Sequence, residues 1–499
     1  MMTKRKQKRQ ENTQKPQAAM LERFLPLLHP EEIQALMDEL DQPLYPSFRV
    51  NPQKVDQPDM PIKWAKHYQW QLKPVPFCET GFWVTDAPSP LSKTIEHSLG
   101  HYYIQDAASM LPVELFDFSK LEEHPLILDM AASPGGKTTH LVSRTNDQAL
   151  IIANDSSRER LTALRIVLQN WSSSHVGVTN YPGEYFGSWF PETFDAILLD
   201  APCSMQGLRE SDAHAIKPIT QKEINNLARR QSKLLESALH ALKMGGQVVY
   251  STCTLTVEEN EMVLDEILNQ FHQQIQIDPI EEVLKKPTPA LEKYNQFAFN
   301  SQIANAARIW PFRFGTAGFF AARMTKVNEI ESKVKQPPSR PLSSANWFLY
   351  PEKQQANLLQ QINNLFGIHL ENLIEKYDWQ IWQYKNNLHC FPGKFIENFP
   401  DLPVLSLGLP LAEISDNEYL LSHEFVTRFG RLAKENICTL EDDQLSSWMR
   451  GDDLINPARQ NAPQLIMRDH VGRILGRGKP TGERIRNLMP KRALIHDLY

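Results

Sequence analysis

The spacing of apolar and polar positions divides the chain into segments of distinct character. Residues 1–18 hold Lys, Arg, Gln and Asn with almost nothing to bury, which predicts a disordered basic arm. From residue 20, Leu21, Phe24, Leu25, Leu28, Ile33, Leu36, Met37 and Leu40 recur at helical spacing and predict two short helices broken at Pro30. SFRVNP (47–52) and the Pro-rich stretch up to Cys78 predict short strands and loops. The pattern changes at Tyr102. LILDM (126–130), LIIAND (150–155), HVGVTN (175–180), FDAILLD (194–200) and GQVVYSTC (246–253) are compact apolar or β-branched runs. Amphipathic stretches lie between them, including 158–171 and 221–242. Such alternation predicts a parallel sheet covered by helices on both faces, with GFFAARMTK (318–326) as its last strand.

A polar, Pro-rich linker follows, then a helical stretch (354–366), a Trp- and Tyr-rich run (379–384), and short strands turning at glycines, as in HVGRILGRGK (470–479). The expected organisation is an arm (1–18), an N-terminal segment (19–101), an α/β domain (102–326), a linker (327–346), a small intermediate domain (347–415) and a terminal module (416–499).

Composition narrows the class. With 41% hydrophobic and 22% charged residues over 499 positions, the chain reads as a globular protein of several domains. It has no run of 18 apolar residues, so no membrane partner is expected, and its polar, basic start argues against a secretory signal. Cys78, Cys203, Cys253, Cys390 and Cys438 are scattered, odd in number and without C-x-x-C spacing. They predict a reducing, cytoplasmic setting and no metal site. The net charge of -6 does not suggest nucleic acid. Yet Arg468, Arg473, Arg477, Lys479, Arg484, Arg486, Lys491 and Arg492 crowd the C-terminus, a footprint suited to phosphate.

The most informative loop is DMAASPGGKTTH (129–140), between a predicted strand and a predicted helix. Gly135 and Gly136 permit a sharp turn and close approach to a ligand. Asp155 and Asp200 end the second and fourth strands at the same carboxyl edge, where ligands of open α/β sheets bind. A ribose and a positive sulfonium suit two such carboxylates better than a polyphosphate does. The rival is a degenerate P-loop in an ATP-dependent RNA-binding factor, since residues 131–138 depart from G-x-x-x-x-G-K-[ST] only at Ala131. That reading leaves two further motifs without a role.

Those motifs are DAPCS, with Cys203, and STCT, with Cys253, at the ends of consecutive strands. Cytosine C5 is too poor a nucleophile to take a methyl group unaided. A thiolate adding to C6 makes the ring an enamine, and a second group must then help remove the C5 proton and expel the thiolate. Asp200 is placed to stabilise the adduct at the ring's N3 and amino edge. A lone strand cysteine is usually a small buried hydrophobe. Two at strand ends with polar neighbours read as chemistry, whereas Cys78, Cys390 and Cys438 read as structural.

DMAASPGGKTT, DAPCS and STCT together resemble the Nop/Sun family of RNA cytosine-5 methyltransferases, as do SFRVNP, YYIQDAASMLP (102–112) and RIWPF…GFFAARMTK (308–326). The likeness covers roughly 20–326. WMRGDDL (448–454) and residues 472–492 are similar to the terminal PUA-like module of bacterial members that act on 16S ribosomal RNA. The resemblance implies a Rossmann-like S-adenosylmethionine-dependent methyltransferase domain, with an N-terminal RNA-binding segment and a PUA-like RNA-binding module. It implies cofactor contacts from Ala131, Ala132, Ser133, Pro134, Gly135, Gly136, Lys137, Asp155 and Asp200. It makes Cys253 the nucleophile and Cys203 the residue of product release. The implied partner is 16S ribosomal RNA or the 30S subunit, not DNA. Two departures stand out: AASPGGK where the family usually has AAAPGSK, and Pro182 where an aspartate is expected near the adenine, with Glu184 the nearest substitute. The target base must be extruded or unpaired to reach such a site.

Overall fold

The computed structural model describes residues 21–209, 217–285, 288–416, 418–456 and 460–495, so the arm expected over 1–18 lies outside the described residues. The apolar runs form β1 (Leu126–Asp129), β2 (Leu150–Asn154), β3 (Val176–Thr179), β4 (Phe194–Asp200), β5 (Leu242–Thr252), β6 (Ile275–Ile277) and β7 (Phe319–Lys326). Their order across the sheet is β3–β2–β1–β4–β5–β7–β6. The first five are parallel, and strand order reverses between β1 and β4, which opens a crevice at the carboxyl edge.

Both faces of this doubly wound, Rossmann-like sheet are covered, so successive strand residues feed different cores. Leu126, Leu128, Ile197, Leu199 and Val248 pack with Leu234, Leu235, Ala238 and Leu239 of the helix Gln221–Ala241. Ile127, Ala196, Leu198 and Val249 pack with Leu141 and Val142 of the helix Gly136–Arg144 and with Leu164 and Leu168 of the helix Leu161–Trp171. The helix Gln221–Ala241 starts on a capping box, in which the Thr220 hydroxyl accepts from Glu223 N and the Glu223 carboxylate accepts from Thr220 N.

The structure departs from the expectations in several places. β7 is antiparallel to β5 and β6 rather than a parallel continuation. A parallel return needs a helical crossover of a dozen or more residues. Among the described residues between β6 and β7, the helical pieces are only Ser301–Asn305 and Pro311–Phe314, and the strand Ala307–Ile309 lies antiparallel beside β7. In the N-terminal segment, Met60–Tyr68 is a helix where loops and strands were expected. Pro61 sits in its first turn, where a missing N–H costs nothing, and so does not break it.

The strand Tyr102–Ile104 pairs with Ser47–Val50, which places it in the N-terminal sheet and not in the α/β domain. The Tyr102 ring packs 4.8 Å from that of Phe48. Arg49 ties this sheet to the central one. Its buried guanidinium donates to Gly136 O (3.0 Å) and Thr139 Oγ1 (2.8 Å), and lies over the Trp171 ring.

Beyond the linker, Trp347–Leu349, Trp379–Tyr384, Asn387–Pro392, Leu409–Ser415 and Glu418–Leu421 form one sheet, which runs past the boundary expected at 415. From the same region Ser406–Leu407 reaches across to pair with β3, so the central sheet is completed by a segment expected to stand apart. A second five-stranded sheet includes Leu465–Asp469, Ile474–Thr481 and Arg484–Asn487. Among the described residues, no helix is long and apolar enough to cross a membrane.

Candidate active site at the carboxyl edge of the sheet

The loop after β1 turns at Gly135, whose φ of +114° favours glycine, and enters the helix Gly136–Arg144. What the two glycines make room for is protein. A Cβ on Gly136 would lie 2.7 Å from the Tyr103 ring, and one on Gly135 would meet Leu164 and Val167. The turn and these protein contacts both call for glycine at this pair. Ala131, Ala132, Ser133 and Pro134 form the lip of the crevice: Ala132 N donates to Asn154 O, Ser133 is buried and Pro134 is exposed.

Asp155, at the end of β2, is buried. Its Oδ2 accepts from Ser133 N (3.1 Å) and its Oδ1 from Ser157 N (2.8 Å), so it braces the loop. Two polar atoms nearby, Ser133 Oγ and Glu184 Oε2, are buried without a protein partner. Pro182 is exposed, and Glu184 pairs through its other oxygen with Arg230 Nε at 3.0 Å.

Asp200, at the end of β4, is engaged on both oxygens. Oδ2 accepts from Lys137 Nζ at 2.7 Å, and Oδ1 accepts from Ser251 Oγ at 2.8 Å. Lys137 also donates to Ser109 Oγ at 2.9 Å. Burial would lower the Lys137 pKa, but the Asp200 charge outweighs it and the ammonium is held above its ordinary value. Lys137 thus faces Asp200 and the end of β5, the opposite side of the crevice from Asp155.

Cys203 and Cys253 come together with their sulfurs 3.1 Å apart. The hydrogen bond to Cys253, reinforced by burial, pushes the Cys203 thiol well above its ordinary pKa. The other cysteines lie elsewhere. Cys78 and Cys390 are buried, and Cys438 is half-buried.

Sequence reasoning missed three features. Asp129, the end of β1, is fully buried, and desolvation holds its carboxyl at about 7, with Asp155 and Asp200 adding to the rise. Its sequence position signalled a strand end, but its charge state depends on burial. Glu259, a few residues past Cys253, is buried against both cysteine loops. Finally, Cys78, Glu114 and His140 place candidate ligand atoms within 4.8 Å of one another, a cluster hidden by their separation in the chain. Glu114 is there paired with His140 (2.9 Å) and Arg144 (2.8 Å).

Carboxyl groups ending β1, β2 and β4 gather at the crevice, with Asp200 neutralised by Lys137, and the two sulfurs beside that pair suit covalent attack on a ring held there. A sequence profile described as 16S rRNA methyltransferase RsmB/F matches residues 118–325. One for the N-terminal domain of 16S rRNA methyltransferase RsmF matches residues 18–107. The chain is 34% identical over 459 residues to the ribosomal RNA small subunit methyltransferase F of Aeromonas salmonicida (strain A449), covering 91% of this chain and 92% of that one. To the protein of the same name in Vibrio cholerae serotype O1 (strain M66-2) it is 31% identical over 486 residues, 97% of each chain. Among solved structures, a methyltransferase homolog protein from Pyrococcus horikoshii is similar, with 32% identity and a TM-score of 0.52 over 62% of this chain and 99% of that one. NSun6 from Pyrococcus horikoshii with SFG shares the fold, at 21% identity and a TM-score of 0.50 over 63% of this chain and 98% of that one.

Proposed function

The chain belongs to the 16S rRNA methyltransferase RsmB/F family, and on that footing we propose that it methylates carbon 5 of a cytosine in 16S ribosomal RNA through a Cys253–C6 adduct. Membership makes this an S-adenosylmethionine-dependent methyltransferase of 16S ribosomal RNA.

The residues present fit that cofactor. The lip of the loop, Asp155 and the unpartnered Ser133 Oγ and Glu184 Oε2 offer polar atoms to the nucleoside, with Glu184 in the part assigned to the aspartate replaced by Pro182. When bound, S-adenosylmethionine supplies a methyl group made electrophilic by the sulfonium. The residues of the chain do the rest. The assignment of roles rests on the family resemblance, and the 3.1 Å approach of the two sulfurs supports it by letting both act on one ring. Cys203 is held as a thiol by its contact with Cys253 and by burial, which leaves Cys253 to attack as the thiolate. That thiolate adds to C6, and the electron pair displaced toward C5 makes C5 the nucleophile. Asp200, oriented by Lys137 and Ser251, faces the base and stabilises the adduct at its N3 and amino edge. Cys203 then assists loss of the C5 proton and expulsion of Cys253. The degenerate P-loop reading is disfavoured by the same geometry, because Lys137 is committed to Asp200 and Ser109.

The test is transfer of labelled methyl from S-adenosylmethionine to 16S ribosomal RNA and to 30S subunits, using RNA tritiated at cytosine C5. One tritium released per methyl transferred is expected. Methylation without tritium release would place the methyl group on another atom.

A further inference from the structure

Both chain neighbours of Cys203 are held by one buried pair of side chains outside the reacting set. Glu259 Oε2 accepts from Ser204 N at 2.9 Å. Gln231 Nε2 donates to Pro202 O at 2.8 Å and to the same Glu259 oxygen at 2.9 Å. The other oxygen, Oε1, accepts from Thr256 Oγ1 at 2.7 Å, which ties the clamp to the loop after Cys253. Ser204 Oγ and Thr254 Oγ1 close the gap between the two loops at 3.0 Å. Glu259 and Gln231 are fully buried. Cys253 directly follows Thr252, the last residue of β5, and is placed by the sheet. Cys203 lies three residues past the end of β4, where no strand fixes it.

We propose that Glu259, with Gln231, is a positioning residue that holds Cys203 for release of the methylated base and is dispensable for the attack by Cys253. The proposal rests on the cysteine roles assigned above. Once Cys253 is bonded to C6 the contact that held Cys203 as a thiol is lost, and Cys203, its own proton then lost to solvent, takes the C5 proton. The C5–H electron pair becomes the C5–C6 double bond, and the C6–S pair returns to Cys253 as thiolate. A sulfur displaced by an ångström cannot do this efficiently, and such misplacements cost up to about a hundredfold.

Glu259→Gln keeps the clamp, because its amide oxygen still accepts from Ser204 and Gln231 while its NH₂ donates to the Thr256 hydroxyl. Glu259→Ala removes it. First-turnover methyl transfer and decay of the covalent protein–RNA band are followed in the full chain with saturating S-adenosylmethionine. Glu259→Ala is expected to slow decay by about tenfold or more while methyl transfer stays within about threefold, and Glu259→Gln is expected to restore decay. Equal slowing of both phases, no slowing, or a Gln variant as slow as Ala would overturn the proposal. If Glu259→Ala does not fold, Gln231→Met, which frees Pro202 O and removes one donor to Glu259 while the Glu259–Ser204 bond remains, is read by the same criteria. Absence of any covalent band in Cys203→Ala would instead count against the cysteine roles themselves.

Discussion

At the residue scale, the two acidic strand ends divide the work. Asp155 braces the loop from one side of the crevice, whereas Asp200 and Lys137 neutralise each other on the side of the sulfurs. Asp155→Ala should therefore weaken S-adenosylmethionine binding by about 1–3 kcal/mol, the cost of losing hydrogen bonds to a charged group. Titration calorimetry showing unchanged affinity with an intact fold would remove Asp155 from the cofactor site. Lys137→Met should behave differently. It unpairs Asp200, so the first-turnover rate should fall by about a hundredfold while cofactor affinity changes little. A large loss of affinity with an unchanged rate would return Lys137 to the cofactor side, where its place in the loop sequence suggests it belongs. Cys203, Cys253, Asp155 and Asp200 were legible because a strand end can be read from where an apolar run stops. Glu259 and the charge state of Asp129 were not, since both depend on what burial brings together across the sheet.

At the element scale, the arginines of the two motifs outside the crevice are ties between elements. Arg49 of SFRVNP fixes the helix that follows the glycine turn. Arg308 of RIWPF is fully buried, holds both Glu261 carboxylate oxygens and donates to Leu255 O at 2.7 Å, two residues past Cys253. Removing one partner of such a pair strands the other charge. Glu261→Ala should destabilise the protein by about 3–5 kcal/mol in denaturant unfolding. A loss within about 0.5 kcal/mol, the range of an ordinary surface substitution, would show the pair to be solvated in solution. The five parallel strands and the helix Gln221–Ala241 were legible from periodicity. The antiparallel direction of β7 was not, because alternation shows that a strand exists and not which way it runs. The helix Met60–Tyr68 was hidden by the prolines of a stretch read as short strands and loops.

At the scale of the whole molecule, the C-terminal parts are built into the enzyme. Arg428 pairs with the fully buried Asp147 of the central domain, Lys54 donates to Thr427 Oγ1, and Arg473 pairs with Glu96 at 2.6 Å. The basic cluster shrinks accordingly. Arg473 and Arg492 are spent on ion pairs and Arg477 is half-buried, while Arg468, Arg484, Arg486 and Lys491 remain exposed. Reversing Arg484, Arg486 and Lys491 to Glu should weaken RNA binding and lower its salt slope by about 0.7–0.9 for each phosphate that is no longer neutralised, with cofactor affinity unchanged. An unaltered slope would mean that the module meets no phosphate. Which sulfur attacks decides the mechanism. The direct measurement is a denaturing gel of the full chain with its RNA and S-adenosylmethionine. Cys203→Ala should give a retarded covalent band that requires the cofactor, because it methylates and cannot release. Cys253→Ala should give none. A band from Cys253→Ala and none from Cys203→Ala would reverse the roles, and turnover in both without a band would contradict the thiolate mechanism.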